Sequence, residues 1–537
     1  MTQALPGLHD LLLFAGLLIA VTALQFAVLA LLLTRRTVRP VLAVLFVVTA
    51  FATYYMDRYS VYINTEMLQN ILHTDWPEAH ELLTPALGLH LLLYAGLPLL
   101  LLSRIQIMPR PLSRALGMRL MTIAAALALT ALVIFPQSRA VSSLIRNHRE
   151  ARNLITPANY LSAGFRLARS ELAAPTGPRE VIAADASRVL EVVTGRRPKL
   201  LVLAIGETVR SANFGLSGYA RDTTPELRRL DLVTWPRVQA CGTSTEVSLP
   251  CMFSAVGRRD YDEARIHRQQ SLLHVLDRVG FKVRWLDNQS GCKGVCDGLP
   301  TERIAGDADP VLCDGERCLD AILLTRLAAV AVEPGDLVVV LHLLGNHGPA
   351  YYRRYPDEVR RFRPTCDNAE LSACADAEIV NAYDNAILYT DHVLAAMVDY
   401  LHGLADRDTA LIYVSDHGES LGENGMYLHG LPYAIAPAVQ REVPMLMWLS
   451  DGMLESTGVD ENCLKAGASA AVAHDHLFHS VLGLLGVKTT VREPSLDLFA
   501  SCRWPAAHVP GAAERAVVSG TGSTVQGSSS VAQTSPR

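Results

Sequence analysis

Residues able to bind a metal or carry a proton recur just after apolar runs in this chain: Glu207, His342, His347, Asp416, His417 and His429. The densest stretch is Ser415-Asp416-His417-Gly418-Glu419-Ser420-Leu421-Gly422, with His429 twelve residues beyond His417. It follows Ala410 to Val414, which reads as a strand of a parallel sheet. Asp416 and His417 then sit at that strand's C-terminal end, where open α/β sheets gather their chemistry. An acid beside an imidazole can ligate a divalent metal, and Gly418 and Gly422 let the backbone turn closely around it. Alone, the pattern is weak and better suits a strand-end Asp that caps the next helix beside a surface His. Between Glu207 and His342 lies Cys241-Gly242-Thr243-Ser244-Thr245-Glu246-Val247-Ser248-Leu249-Pro250-Cys251, rich in hydroxyls and flanked by cysteines. A Thr hydroxyl is a poor nucleophile at neutral pH, but coordination to zinc lowers the pKa of a bound oxygen by many units. A Thr beside Glu207, Asp416 and His417 would complete a four-ligand site containing its own nucleophile. The plainer alternative is a Ser/Thr-rich turn.

These positions need a scaffold. Strand-like runs at Leu200 to Ile205, Lys282 to Leu286, Leu337 to Leu341, Ala410 to Val414 and Met445 to Leu449 alternate with helical stretches. The alternation predicts an α/β domain with a mostly parallel sheet covered by helices on both faces. Ahead of it, four segments of the 537-residue chain are apolar enough to span a bilayer: Leu11 to Leu33, Val41 to Tyr55, Leu82 to Leu102 and Leu120 to Phe135. Arg35, Arg36 and Arg39 lie between the first two, and Arg104, Arg110, Arg114 and Arg119 between the last two. The middle link carries Glu66, Asp75, Glu78 and Glu81, with Arg58 its only Lys or Arg. By the positive-inside rule the Arg-rich loops are cytoplasmic, so everything after Phe135 is exported. Met1 then lies outside without a basic flank, which suggests a further span ahead of the first.

The expected organisation is a transmembrane domain over 1–137, interfacial helices and a linker over 138–196, a catalytic domain over 197–503 and a disordered tail over 504–537. A net charge of -5 argues against nucleic-acid binding. The ten cysteines all fall between Cys241 and Cys502. Spacing suggests the pairs Cys241 with Cys251, Cys292 with Cys296, Cys313 with Cys318, Cys366 with Cys374, and Cys463 with Cys502, as in an oxidising compartment. The tract His474-Asp475-His476-Leu477-Phe478-His479 looks metal-like but better suits a helix start with Asp475 near its N-terminus. Arg353, Arg354, Arg360, Arg361 and Arg363 read as a solvated, salt-bridged surface.

Four ordered motifs carry a resemblance. Gly206-Glu207-Thr208, the Cys241 to Cys251 loop running on into Met252-Phe253-Ser254, Gly345-Asn346-His347-Gly348-Pro349, and Ser415 to Gly425 with Tyr427-Leu428-His429-Gly430 resemble the lipid A phosphoethanolamine transferases. That family includes the colistin-resistance transferases and belongs to the alkaline phosphatase and sulfatase superfamily. The resemblance implies Thr245, second Thr of the Cys-Gly-Thr-x-Thr loop, as nucleophile, and Glu207, Thr245, Asp416 and His417 as ligands of a tightly bound Zn²⁺. It implies His347 and His429 as catalytic groups near the substrate phosphate, with place for a second ion beside them. Asn288, Ser290 and Lys293 are implied to hold the phosphoethanolamine group, His342 and Glu419 to face substrate, and Asn70, Thr74 and Glu78 to form a lipid-facing patch. The family usually has five spans, against four here.

The implied activity is transfer of phosphoethanolamine from phosphatidylethanolamine to lipid A through a phosphothreonine-type intermediate. A monomer is expected in the bacterial inner membrane, its catalytic domain in the periplasm and in contact with membrane lipids. The added ethanolammonium would reduce the negative charge of lipid A and so weaken polymyxins and other cationic peptides. Rival readings are transfer of phosphoethanolamine or phosphoglycerol to another glycan, or an exported sulfatase or phosphatase. Sulfatases need an Arg at the end of Cys/Ser-x-Pro-x-Arg, and Ser248-Leu249-Pro250-Cys251-Met252 lacks it.

Overall fold

The long Leu, Ala and Val runs form helices because straight-chain and small apolar residues lose little freedom there, and a bilayer leaves the backbone no other partner. The computed structural model describes residues 8–147, 149–173, 177–191, 196–504 and 515–519. Four helical stretches in it are long and apolar enough to cross a membrane, within Leu8–Leu32, Val38–Tyr59, Pro85–Arg104 and the stretch that opens with Leu112–Ile134. The third includes a π-helical turn over Leu92–Gly96. The first and fourth pack through small residues, Ala23, Ala27 and Ala126. Phe14, Leu18, Leu31 and Leu132 point outward, as a lipid-facing surface requires.

Two compact units divide the chain: residues 1–72 with 82–172, and residues 73–81 with 173–537. This departs from the expected transmembrane domain over 1–137. The nine residues His73–Glu81 belong to the catalytic unit, although they stand between the second and third apolar helices. Charge explains the transfer. Asp75 pairs with Arg303 at 2.6 Å, and Glu81 with Arg354, both partners in the catalytic unit. The helices Ser138–Asn147 and Ala158–Ala173, expected to be separate interfacial pieces, belong to the membrane unit.

The catalytic unit is built on an eight-stranded sheet. Its strands in chain order are β1 (Lys199–Gly206), β2 (Val233–Gln239), β3 (Lys282–Asp287), β4 (Thr301–Arg303), β5 (Leu337–His342), β6 (Asp408–Ser415), β7 (Glu442–Leu449) and β8 (Val472–Ala473). The order across the sheet is β8-β2-β7-β6-β1-β5-β3-β4. β7 runs antiparallel to both its neighbours and every other pair is parallel. Central strands such as β1, β5 and β6 are buried on both faces, and so read as unbroken apolar runs. Alternate residues enter two cores. Leu201, Leu203 and Ile205 join Leu249, Met252 and Phe478 on one face, while Leu200, Val202 and Ala204 join Ile379, Tyr383 and Leu394 of helix Asp376–His402 on the other.

All five cysteine pairs form, Cys241–Cys251, Cys292–Cys296, Cys313–Cys318, Cys366–Cys374 and Cys463–Cys502. Of the tail expected to be disordered, residues 505–514 and 520–537 lie outside the described residues. Arg515–Ser519, with β-branched Val517 and Val518, forms a strand antiparallel to Ser187–Glu191.

Candidate active site

Two adjacent strands bring the first residues together. β1 ends in Gly206 opposite Ser415 of β6, so Glu207 and the pair Asp416-His417 leave the sheet side by side. One ligand atom from each of Glu207, Asp416 and His417 lies within 4.8 Å of the other two, and all three residues are fully buried. Gly345 makes room beside them. Its φ of +53° suits glycine, and a Cβ there would come within 2.7 Å of the Glu207 carbonyl.

Thr245 arrives from another element, as the first residue of helix Thr245–Met252. The turn into this helix closes at Gly242, where a Cβ would meet Val247 Cγ1 at 2.7 Å. Two contacts fasten the loop to the end of β6. The Ser248 hydroxyl donates to the Asp416 carbonyl, and His474 accepts from the Cys241 N–H at 3.1 Å while donating from Nε2 to the Ser415 carbonyl at 2.9 Å. The Thr245 hydroxyl then lies 3.1 and 3.0 Å from the Glu207 carboxylate oxygens and 3.4 Å from His417 Nε2.

His417 is oriented for a metal. Its Nδ1–H donates to the Gly418 carbonyl at 3.0 Å, which aims Nε2 at Glu207 and Asp416, each 3.3 Å away; without an ion that nitrogen carries a proton shared with the two carboxylates, and a cation would take the proton's place. Burial disfavours charge on all three groups, yet the coupling is strong. Burial pulls the His417 pKa down, but Asp416 and Glu207 outweigh it and raise it to about 10. Burial and then the Glu207 charge push Asp416 up to about 6. Glu207 falls to about 2 against burial, through its hydrogen bond from His417 and the charge of that ring. Asp416 Oδ2 is buried without a hydrogen-bond partner among the described residues. Two buried carboxylates with one orphaned oxygen are costly unless a cation joins them, so Glu207, Asp416, His417 and the Thr245 hydroxyl fit a divalent ion of the zinc class.

A second group lies beside the first. The His429 ring stands 4.4 Å from that of His417 and 5.8 Å from that of His347, centre to centre. His429 Nδ1 faces Glu419 Oε2 at 3.2 Å, and His347 Nε2 faces Glu78 Oε1 at 3.2 Å. Each imidazole therefore has its own carboxylate. The fully buried Glu419, expected to face substrate, pairs with His429. Glu78, expected in a lipid-facing patch, is turned to His347, with its side chain 14% exposed. Its pKa drops to about 2 although burial opposes this, because His347 contributes both charge and a hydrogen bond.

The remaining expected residues divide. Lys293 Nζ sits 3.8 Å from Glu246 Oε2, one residue past Thr245, and also donates to the Ser290 carbonyl at 3.3 Å. The Asn288 amide is turned away, donating to the Cys318 carbonyl at 2.9 Å and to Asp320 at 2.8 Å. His342 Nδ1 donates to Asp287 Oδ2 at 3.0 Å, and its Nε2 is buried with no hydrogen-bond partner among the described residues. Thr74 belongs to the nine-residue segment of the catalytic unit, and Asn70 to the membrane unit. The sequence reading missed Asp287, Arg354 and the bridging role of His474. Only the chain's path joins them to the site, although the Asp287-Asn288 turn after a strand was visible. The other members of the 474–479 tract are structural: Asp475 opens helix Asp475–Leu484 and His479 Nδ1 accepts from the Glu493 N–H.

A mostly parallel sheet with carboxylates and an imidazole at adjacent strand ends, facing a hydroxyl at a helix start, defines a sulfatase-like enzyme. The Sulfatase family model matches residues 199–487. The model for phosphoethanolamine transferase EptA/EptB matches residues 21–172. Phosphoethanolamine transferase EptA of Escherichia coli K12 is 37% identical over 511 residues, covering 93% of this chain and 92% of its own. Phosphatidylethanolamine transferase Mcr-1 of Escherichia coli is 35% identical over 489 residues, covering 88% and 89%. The integral membrane lipooligosaccharide phosphoethanolamine transferase A from Neisseria meningitidis superposes with a TM-score of 0.90 at 36% identity, covering 93% of this chain and 94% of its own. The chain belongs to the EptA-type phosphoethanolamine transferases, with an inner-membrane helical domain and a periplasmic catalytic domain.

Proposed function

We propose that the protein moves phosphoethanolamine from phosphatidylethanolamine to lipid A through a covalent phosphoethanolamine–Thr245 intermediate. The observation that carries this is the placement of the Thr245 hydroxyl against both Glu207 oxygens and His417 Nε2. A nucleophile held within the ligand set is activated and aimed at once. Glu207, Thr245, Asp416 and His417 would hold Zn²⁺, whose positive charge would favour the ionised hydroxyl and offset charge on phosphoryl oxygens.

In the first half, Thr245 Oγ releases its proton to solvent and forms a bond to phosphorus while the phosphorus–oxygen bond to diacylglycerol breaks. The departing oxygen takes a proton from His347 or His429, both in the second group. In the second half, an oxygen of a lipid A phosphate displaces Thr245 Oγ, which regains a proton. Ser290 and Lys293, the latter 3.8 Å from Glu246, are proposed to hold the phosphoethanolamine headgroup. Helix Thr245–Met252 directs its first N–H groups towards the nucleophile's end, where phosphoryl oxygens carry negative charge. The donor is consistent with the name of the Mcr-1 relative, and an acceptor on the outer saccharide lipids with that of the meningococcal structure. Adding an ethanolammonium lowers the net negative charge of lipid A and so the attraction of polymyxin-type peptides.

The test is mass spectrometry of lipid A from cells expressing the protein. We expect lipid A heavier by one phosphoethanolamine with the wild type and unmodified lipid A with Thr245→Ala, which keeps the disulfides and the fold. Unmodified lipid A from folded, metal-loaded wild type would overturn the reading.

A further inference from the structure

The chain segment that holds Glu78 is a strap. It leaves the membrane helices, crosses into the catalytic unit over His73–Glu81 and returns. Asp75 is bound by Arg303 at 2.6 Å and Arg317 at 3.5 Å, and Glu81 by Arg354, by Arg317 at 3.5 Å and by Arg353 at 3.6 Å. His73 Nδ1 meets Glu246 Oε1 at 2.9 Å. A segment fixed at both ends has little freedom to move its middle, and its middle is Glu78.

Arg354 fastens two parts with one side chain. Its Nε donates to the His347 carbonyl at 2.7 Å, while its two terminal nitrogens donate to the Glu81 carboxylate, and its side chain is 1% exposed. The same guanidinium therefore registers the strap against the backbone of the histidine that Glu78 meets. With Glu78 Oε1 at 3.2 Å, His347 Nε2–H is the donor of that contact. The other nitrogen, Nδ1, is buried and has no hydrogen-bond partner among the described residues. A carboxylate that takes one N–H of an imidazole fixes the tautomer and leaves the opposite nitrogen to give or take the proton of the reaction.

We propose that Glu78 is a positioning residue for His347: the strap brings a carboxylate that orients the ring and leaves Nδ1 as its proton-carrying atom. This rests on the transfer through Thr245 described above. When the bond from phosphorus to the diacylglycerol oxygen breaks, the proton on His347 Nδ1 passes to that oxygen. The ring becomes neutral and Glu78 stays ionised throughout. A lipid-facing role would leave the carboxylate towards solvent or headgroups, whereas Glu78 spends an oxygen on His347. The metal cluster does not use it, since the compact ligand group among the described residues is Glu207, Asp416 and His417.

The experiment uses the full-length enzyme with lipid A as acceptor and two donors, phosphatidylethanolamine and the acyl-free ester glycerophosphoethanolamine. For Glu78→Gln we expect kcat to fall by about 100-fold with both donors. KM for phosphatidylethanolamine should stay within about twofold and bound metal per protein should not change, as expected when only an orienting group is lost. Glu78→Asp keeps the charge on a shorter arm and should lose about 10-fold in kcat. If the Gln variant does not fold, the Asp variant decides alone, by a fall in kcat with both donors. A raised KM confined to phosphatidylethanolamine with kcat intact, loss of a metal equivalent, or wild-type kcat in both variants would each overturn the inference. Wild-type enzyme that transfers nothing under these conditions would instead overturn the proposed function.

Discussion

The two groups of the site are built in opposite ways. Glu207, Asp416 and His417 extend from β1 and β6, neighbouring strands buried in the middle of the sheet, and need almost nothing else to meet. His347, His429 and their carboxylates come from loops and from a strap that the chain inserts between two apolar helices, and they are held by long-range ion pairs. Rigid strand ends suit the proposed nucleophile and the ion it would share, whose distances must not drift. A proton carrier, the role proposed for the second group, can be placed by a looser assembly, and its dependence on distant charges would make it adjustable.

The comparison breaks most easily at the strand ends. His417→Ala removes the one nitrogen ligand facing both carboxylates, and we expect loss of bound metal and a fall in transfer of about 1,000-fold or more, read by metal analysis and lipid A mass spectrometry. The fold should persist, because β1 and β6 are held by their apolar cores.

Arg354→Gln is next, and it acts on the assembled group. Arg354 and Glu81 are buried with 1% and 2% of their side chains exposed, and Glu81 would keep only the longer contacts to Arg317 at 3.5 Å and Arg353 at 3.6 Å, so losing the charged hydrogen bonds of Arg354 should cost about 1.5–3 kcal/mol of stability. Thermal unfolding should show it, and kcat should fall while bound metal stays at the wild-type level. Loss of metal in this variant would mean that the two groups are not separable.

The smallest effect is a pH dependence. Glu78 is lowered from 4.5 to about 2, so its contribution is present above 4.5 and is lost as pH falls towards 2. His347 is raised above 6.5, burial being outweighed by the charge of Glu78, so its contribution is present below 6.5 and is lost as pH rises through the raised value. The stability difference between wild type and Glu78→Gln should therefore be largest from about pH 4.5 to 6.5 and shrink on either side. A difference that keeps growing above that window would contradict the pairing.

The same contrast explains what could be read from residues alone. Apolar runs ending in Gly206-Glu207 and Ser415-Asp416-His417 announce buried strands with polar tips, so the parallel sheet and the meeting of Glu207, Asp416 and His417 were legible. Cysteine spacing was enough for the five disulfides. The antiparallel sense of Glu442–Leu449 was not legible, since an apolar strand looks alike in either direction. The resemblance put Glu78 in a lipid-facing patch and Glu419 on substrate, and their pairing with imidazoles was not legible: Glu78 meets His347 only through the path of the strap, and Glu419 meets His429 across the hairpin of Ser420–Leu421 with Tyr427–Leu428. Asn288 looked available for a headgroup, but Asp320 and the Cys318 carbonyl, brought up by the Cys313–Cys318 loop, claim its amide.

The central claim is that Thr245 carries the phosphoethanolamine group between donor and acceptor. Purified full-length enzyme given phosphatidylethanolamine without acceptor should be digested and its peptides mass-mapped. The account predicts one phosphoethanolamine adduct on Thr245, removed when lipid A is added and missing in Thr245→Ala. An unmodified Thr245 in enzyme that goes on to modify lipid A, or an adduct on another residue, would contradict it.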